Sequence, residues 1–207
     1  MISDRLQIGF LASGNGSSAE AIVRAIQAGD LAADARVLVG NRRETPAFGW
    51  AEALGIPSLF IPTASDPEGA DLRLTEALES HGVELVVLSG YLRRLGPQTL
   101  RRYEGRILNI HPGPLPEFGG EGMYGINVHR AVIAAGVAES AIVVHAVDEV
   151  YDHGPEIARR RVPVRGDDTP ETLEARVKAL EPGVFLETLQ RLAAGDLTLP
   201  GRGRGDG

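Results

Sequence analysis

Asn109 and His111 stand two residues apart in the run Ile107-Leu108-Asn109-Ile110-His111-Pro112-Gly113-Pro114-Leu115-Pro116. The apolar part of the run is short and bounded by Gly105 and the Pro/Gly cluster, the pattern of a buried parallel strand. On a strand, side chains two positions apart leave on the same face. An amide N–H beside an imidazole suits chemistry at a carbonyl, because one steadies a developing oxyanion while the other moves a proton. The prolines that follow can neither extend a ladder nor enter a helix interior. The strand therefore opens at its carboxyl end into a stiff loop, the edge where open parallel sheets keep their ligands.

Two further segments carry chemistry. Ser13-Gly14-Asn15-Gly16-Ser17-Ser18 joins an expected strand to an expected helix. Its glycines let the backbone approach a ligand, and the free N–H groups of a helix start favour a phosphate. The bland alternative is a tight turn with a serine cap. With Ala19 the segment also matches the G-x-G-x-x-A form of the dinucleotide fingerprint. The second strand ends in Asn41-Arg42-Arg43 rather than in an acidic residue, which leaves an NADP-dependent reductase open. The second segment, Asp148-Glu149-Val150-Tyr151-Asp152-His153-Gly154-Pro155, is a turn-rich acidic loop between strands. A carboxylate from it would set the tautomer and basicity of a catalytic histidine. A metal site from His111, His145, His153 and Asp152 fits no standard ligand spacing, so none is assigned.

These groups need a scaffold, and composition bounds it. The chain has 207 residues and a formal net charge of -7, enough length for one domain with a real core. An acidic balance argues against a nucleic-acid partner, whose footprint is basic. No apolar run reaches membrane-span length and no signal peptide is visible, so no membrane partner and a cytoplasmic location are expected. The absence of cysteine excludes a disulfide framework.

The first half alternates strand and helix: strands at 6–12, 35–39, 58–61, 84–89 and the Asn/His run, with helices at 19–28, from Pro46 to Gly55, 70–80 and 98–102. Helix 128–135, strands 140–147 and 157–164, and a helix from Thr169-Pro170 to about Leu192 follow, with a kink expected near Pro182. This order predicts an α/β protein with a doubly wound, mostly parallel sheet. Residues 1–200 are read as a single domain and 201–207, without an apolar anchor, as a disordered tail.

The segments Ser13–Ser17, Val86–Arg93, Leu108–Pro112 and Tyr151–Pro155 resemble, in order, those of the phosphoribosylglycinamide formyltransferases. The similarity runs from about Leu6 to Leu199. It implies a Rossmann-like formyltransferase fold and transfer of a formyl group from 10-formyltetrahydrofolate to the amine of 5-phosphoribosylglycinamide in de novo purine synthesis. By that resemblance Asn109, His111 and Asp152 are the catalytic trio. Gly16, Ser17 and Ser18 hold the substrate phosphate, and Glu181 lies near its ribose. Leu92, Arg93, Arg94 and Leu95 line the folate pocket together with Asn109, and Asp148, Glu149, Val150, Tyr151 and Asp152 cover the pterin. Asp152 is expected to keep His111 protonated more readily than an ordinary imidazole with a pKa of about 6.5. No metal is implied, the partners are small molecules, and the assembly is a monomer or homodimer.

The chain departs from the family pattern at Ser18, where Asn is common, at Pro114, where leucine is commoner, and at Val143, where a small hydroxyl residue is frequent. The usual folate-pocket arginine has no counterpart around Asp66–Glu68, and the Gly119–Ile126 stretch resembles a longer-loop subgroup. A methionyl-tRNA formyltransferase would add a C-terminal RNA-binding domain, and a formyltetrahydrofolate hydrolase an N-terminal regulatory one. A non-catalytic folate or phosphate sensor is disfavoured by the complete trio.

Overall fold

Period-two alternation sorts the central strands into two apolar faces. Ile8, Phe10 and Ala12 enter one buried cluster while Leu11 enters another; Leu85 and Val87 part from Val86 and Leu88 in the same way. Residues buried on both faces demand layers of helix above and below. The computed structural model, which describes residues 5–200, supplies them. The expected tail at 201–207 lies outside the described residues.

In chain order the elements are β1 (Leu6–Ala12), α1 (Ser17–Ala28), β2 (Ala33–Gly40), α2 (Ala47–Ala53), β3 (Ser58–Phe60), α3 (Pro67–Ser80) and β4 (Leu85–Leu88). After them come α4 (Pro97–Arg102), β5 (Ile107–His111), α5 (Ile126–Ala134), β6 (Glu139–Ala146), β7 (Glu156–Pro163) and α6 (Pro170–Ala194). The strands form one sheet in the order β3-β2-β1-β4-β5-β6-β7. β1 to β5 pair in parallel, and β6 and β7 are added antiparallel. This is the expected doubly wound, mostly parallel α/β sheet. One face is covered by α1, α2, α5 and α6, the other by α3 and α4.

Local chemistry sets most boundaries. α1 stops at Gly29, in the left-handed conformation, whose N–H reaches back to Ala25 and Ile26. α3 starts earlier than its apolar pattern predicts because Asp66 accepts from the Gly69 N–H at 2.9 Å and Pro67 fills the first turn. α6 opens on Thr169 and Thr172, each side chain bonding the other's backbone. Pro182 lies inside it, at the place where a kink is expected. Pro46 was expected inside α2 and instead caps it. The reading of β5 as a parallel strand holds only on its β4 side, for β6 returns antiparallel on the other. That exception shapes the site.

Candidate active site

β5 ends at the carboxyl edge of the parallel sheet. Its residues Asn109 and His111 lie directly opposite His145 and Val143 of β6. Antiparallel neighbours of this kind have Cβ atoms about 5 Å apart, so the four side chains form a patch on one face. Val143 packs with Leu115 and Ala141 in a small apolar cluster. The position where a hydroxyl is frequent is thus a dry floor beside His111, which is only 3% exposed.

Asp152 comes from the loop between β6 and β7. Its φ of 56° is left-handed, a conformation that aspartate tolerates better than most residues. Gly154 explains the tight return, since a Cβ there would stand 1.9 Å from the Ala146 carbonyl oxygen. The turn brings the carboxylate between two imidazoles. Oδ2 lies 3.5 Å from Nδ1 of His111, and Oδ1 lies 3.5 Å from Nε2 of His145. The Gly120 N–H donates to Oδ2 at 3.1 Å, and Asn109 Nδ2 meets His145 Nε2 at 3.1 Å. The trio is therefore assembled, with His145 as a fourth member.

Electrostatics correct one expectation. Burial pushes His111 below its ordinary pKa, and His145 adds to the push; Asp152 and the Phe118 carbonyl pull upward without cancelling it. Asp152 does favour the charged ring, but desolvation wins. For Asp152 itself burial pushes upward. His145 and His111, whenever either ring carries a second proton, together with the Gly120 N–H, outweigh it and hold the carboxyl below its usual range.

The glycine-serine segment forms the turn from β1 into α1. Gly16 is the N-cap, at φ 62°, and neither it nor a serine of the turn caps the helix with a side chain. The local serine-cap alternative is thereby set aside, and the N–H groups of Ser17 and Ser18 are of the kind that bind anions, while that of Ala19 is taken by Ser89. Ser17 is exposed, but Ser18 is buried and faces the interior, so its expected phosphate contact falls to its backbone. Ser13 and Ser89, which lie in segments singled out from the sequence but without a role of their own there, fasten the turn. Ser13 Oγ accepts from the Leu92 N–H at 2.8 Å, and Ser89 Oγ accepts from the Ala19 N–H at 3.1 Å.

Leu92, Arg93, Arg94 and Leu95 line a cavity of about 340 Å³ together with Ile61, Pro67, Leu74, Tyr91 and Tyr151. Its size and mixed lining suit a small organic ligand. Of the 148–152 segment only Tyr151 reaches this cavity. Asp148 accepts from the Val150 N–H and faces His153, which takes His153 away from the trio. Arg94 is committed to the protein: it donates to the Glu149 carbonyl at 2.6 Å and lies 6.0 Å from the Tyr151 ring centre. Arg93 remains exposed. Where the usual arginine is missing, Asp66 caps α3 and pairs with Arg73. Glu181 sits on α6, where burial pushes its pKa up; no hydrogen bond or ion pair found among the described residues joins it to the trio.

A doubly wound sheet that gathers an amide, an imidazole and a carboxylate beside a small-molecule cavity and a glycine-capped helix start defines a group-transfer class of site. Known proteins narrow the class. The formyl transferase family profile matches residues 6–189. A phosphoribosylglycinamide formyltransferase of Bacillus subtilis is 38% identical over 183 residues, covering 87% of this chain and 91% of that protein. The chloroplastic enzyme of Vigna unguiculata is 40% identical over 190 residues, 91% of this chain, and this chain spans 61% of its length. The crystal structure of glycinamide ribonucleotide transformylase 1 from Symbiobacterium toebii superposes with a TM-score of 0.86 at 33% identity, covering 96% of this chain and 92% of that one. The chain belongs to the formyl transferase family.

Proposed function

We propose that this protein transfers the formyl group of 10-formyltetrahydrofolate to the amine of 5-phosphoribosylglycinamide, a step of de novo purine synthesis. The observation that carries the reading is convergence. The anion-ready turn after β1, the cavity after β4 and the Asn109–His111 pair of β5 open on one carboxyl edge, and Ser13 ties the first two together.

The turn at Gly16–Ser18 receives the phosphate, and Glu181 serves the ribose. The cavity lined by Leu92, Arg93 and Leu95 receives the folate, with Tyr151 of the 148–152 loop in its wall. The amine nitrogen forms a bond to the formyl carbon, and the bond from that carbon to the folate nitrogen breaks. Asn109 donates to the oxyanion that develops. His111, with its own ring proton moved to Nδ1 beside Asp152 and Nε2 released from Phe118, takes the proton the amine loses at Nε2 and passes it to the departing nitrogen, while Asp152 stabilises the ring in its charged interval. The chain's own residues supply this chemistry without assigning a metal. No helix among the described residues is long and apolar enough to cross a membrane; we place the protein in the cytoplasm, as a monomer or homodimer.

The test is an absorbance assay of deformylated folate with and without the ribonucleotide. Product that depends on the ribonucleotide supports the reading. Equal product without it would make the protein a hydrolase.

A further inference from the structure

We infer that His145 is a positioning residue whose ring decides which way the Asn109 amide faces, and so which amide atom meets the reacting carbonyl. The inference rests on the proposed formyl transfer and adds a residue to it. Three observations carry it. First, Asn109 and His145 are directly opposed across the β5–β6 ladder, and the β6–β7 register shifts between Val144 and His145. Such irregularities re-aim side chains beside active sites. Second, His145 Nδ1 lies 3.1 Å from the Ala146 carbonyl. A carbonyl only accepts, so Nδ1 carries the proton, and Nε2 of a neutral ring is left a bare acceptor.

Third, Asn109 Nδ2 stands 3.1 Å from that Nε2. One amide N–H is thereby spent on the ring, and the plane of the amide is set. The other N–H and the amide oxygen cannot exchange places without breaking this bond. His145 is 2% exposed, so water does not readily replace Asn109 as its partner. A protonated His145 would reverse the arrangement. Its Nε2–H would donate to Asp152 Oδ1, now 3.5 Å away, or to the oxygen of a turned Asn109. The neutral ring presents a defined N–H to the oxyanion; the charged ring does not. The histidine was legible in the sequence only as a remote metal candidate, because its pairing with Asn109 depends on β6 running antiparallel.

The tautomer is read first, on the wild-type protein without substrates. ¹⁵N shifts of His145 should show Nδ1–H with bare Nε2, and a ¹⁵N–¹⁵N coupling should appear between Asn109 Nδ2 and His145 Nε2. An Nε2–H tautomer would overturn the inference whatever the enzyme's activity. Kinetics follow. His145→Leu removes the acceptor and should lower kcat by about 10- to 100-fold, short of the loss of an oxyanion donor, with KM for both substrates within about threefold. His145→Gln keeps an acceptor oxygen within reach of Asn109 and should recover most of that loss. A folded Leu variant with unchanged kcat, or Leu and Gln variants equally impaired, would make the histidine merely structural. If the Leu variant fails to fold, the tautomer and the Gln variant still decide. A wild-type protein with no transferase activity but the expected tautomer would refute the function and leave the geometry intact.

Discussion

The main-chain carbonyl of Phe118 accepts a hydrogen bond from Nε2 of His111 at 2.8 Å, while Nδ1 of the same ring faces Oδ2 of Asp152 at 3.5 Å. Two acceptors flank the imidazole, an arrangement that suits the charged ring. Burial opposes it and prevails. The site therefore holds a neutral histidine that is prepared for charge. Direct proton transfer to Nε2 requires the ring proton to move to Nδ1, beside Asp152, and the Phe118 carbonyl to give way.

His111 should titrate in the free protein below 6.5, measured from its ring resonances against pH. In Asp152→Asn the pKa should fall further, because the carboxylate charge is one of the upward pulls. The unfolded chain, with its histidine near 6.5, then binds more protons than the native one. This contribution to stability is present above pH 6.5 and is lost as the pH falls through the native pKa. A wild-type pKa above 6.5 would restore the expectation drawn from sequence.

His111→Asn and Asp152→Asn should each lower kcat by about two orders of magnitude or more, the scale of general acid–base groups. KM should move much less, since neither residue is assigned a mainly binding role. Near-normal turnover in purified His111→Asn would exclude the proposed proton path.

Much of this was legible before any coordinates, for physical reasons that differ by element. The apolar runs of β1, β4 and β5 and the Gly29 stop of α1 are local signals, and they landed within a few residues. Asn109 and His111 share a face by strand geometry alone. His145 escaped because facing Asn109 depends on a strand direction that no local pattern encodes. Ser13 and Ser89 look like ordinary loop serines until β1 and β4 are adjacent. The pKa of His111 was misjudged because a charge partner can be inferred from sequence, whereas its burial opposite Val143 of β6 cannot.

Gly154→Ala tests the turn that delivers Asp152. A Cβ there meets backbone, not a flexible side chain, so the loop itself must move. Overpacking of this kind costs about 1–3 kcal/mol, which lowers Tm by roughly 2–12 °C in a protein of this size. Thermal melts and kcat should fall together. Wild-type values of both would show that the loop does not depend on the close approach.

For the helix start the informative change is Ser17→Asp. Gly16 is a poor target, since it sits at φ 62° and a Cβ would press Ala12 and Ala47 at 3.3 Å. Exposed Ser17 can change without those clashes. An acid in a first helical turn stabilises the helix by about 0.3–1 kcal/mol, yet it repels a bound phosphate. Stability and affinity should therefore move in opposite directions: Tm unchanged or raised, and KM for the ribonucleotide raised about tenfold or more, a loss of about 1.4 kcal/mol or more. An unchanged KM would place the phosphate elsewhere.

Arg94→Ala addresses a cation that joins the β4–α4 loop to the 148–152 loop. Its guanidinium leaves the β4–α4 loop, donates to the Glu149 carbonyl and lies over Tyr151. Exposed hydrogen bonds and cation–π contacts each contribute about 0.5–1 kcal/mol. Loosening the 148–152 wall should thus raise KM for the folate by about two- to tenfold. KM for the ribonucleotide should stay near its wild-type value, because the Ser13–Leu92 and Ser89–Ala19 bonds that hold Gly16–Ser18 do not involve the Arg94 side chain. A loss confined to kcat would mean that Arg94 acts on Asp152 rather than on the wall. Equal weakening of both substrates would mean that the two loops move as one body.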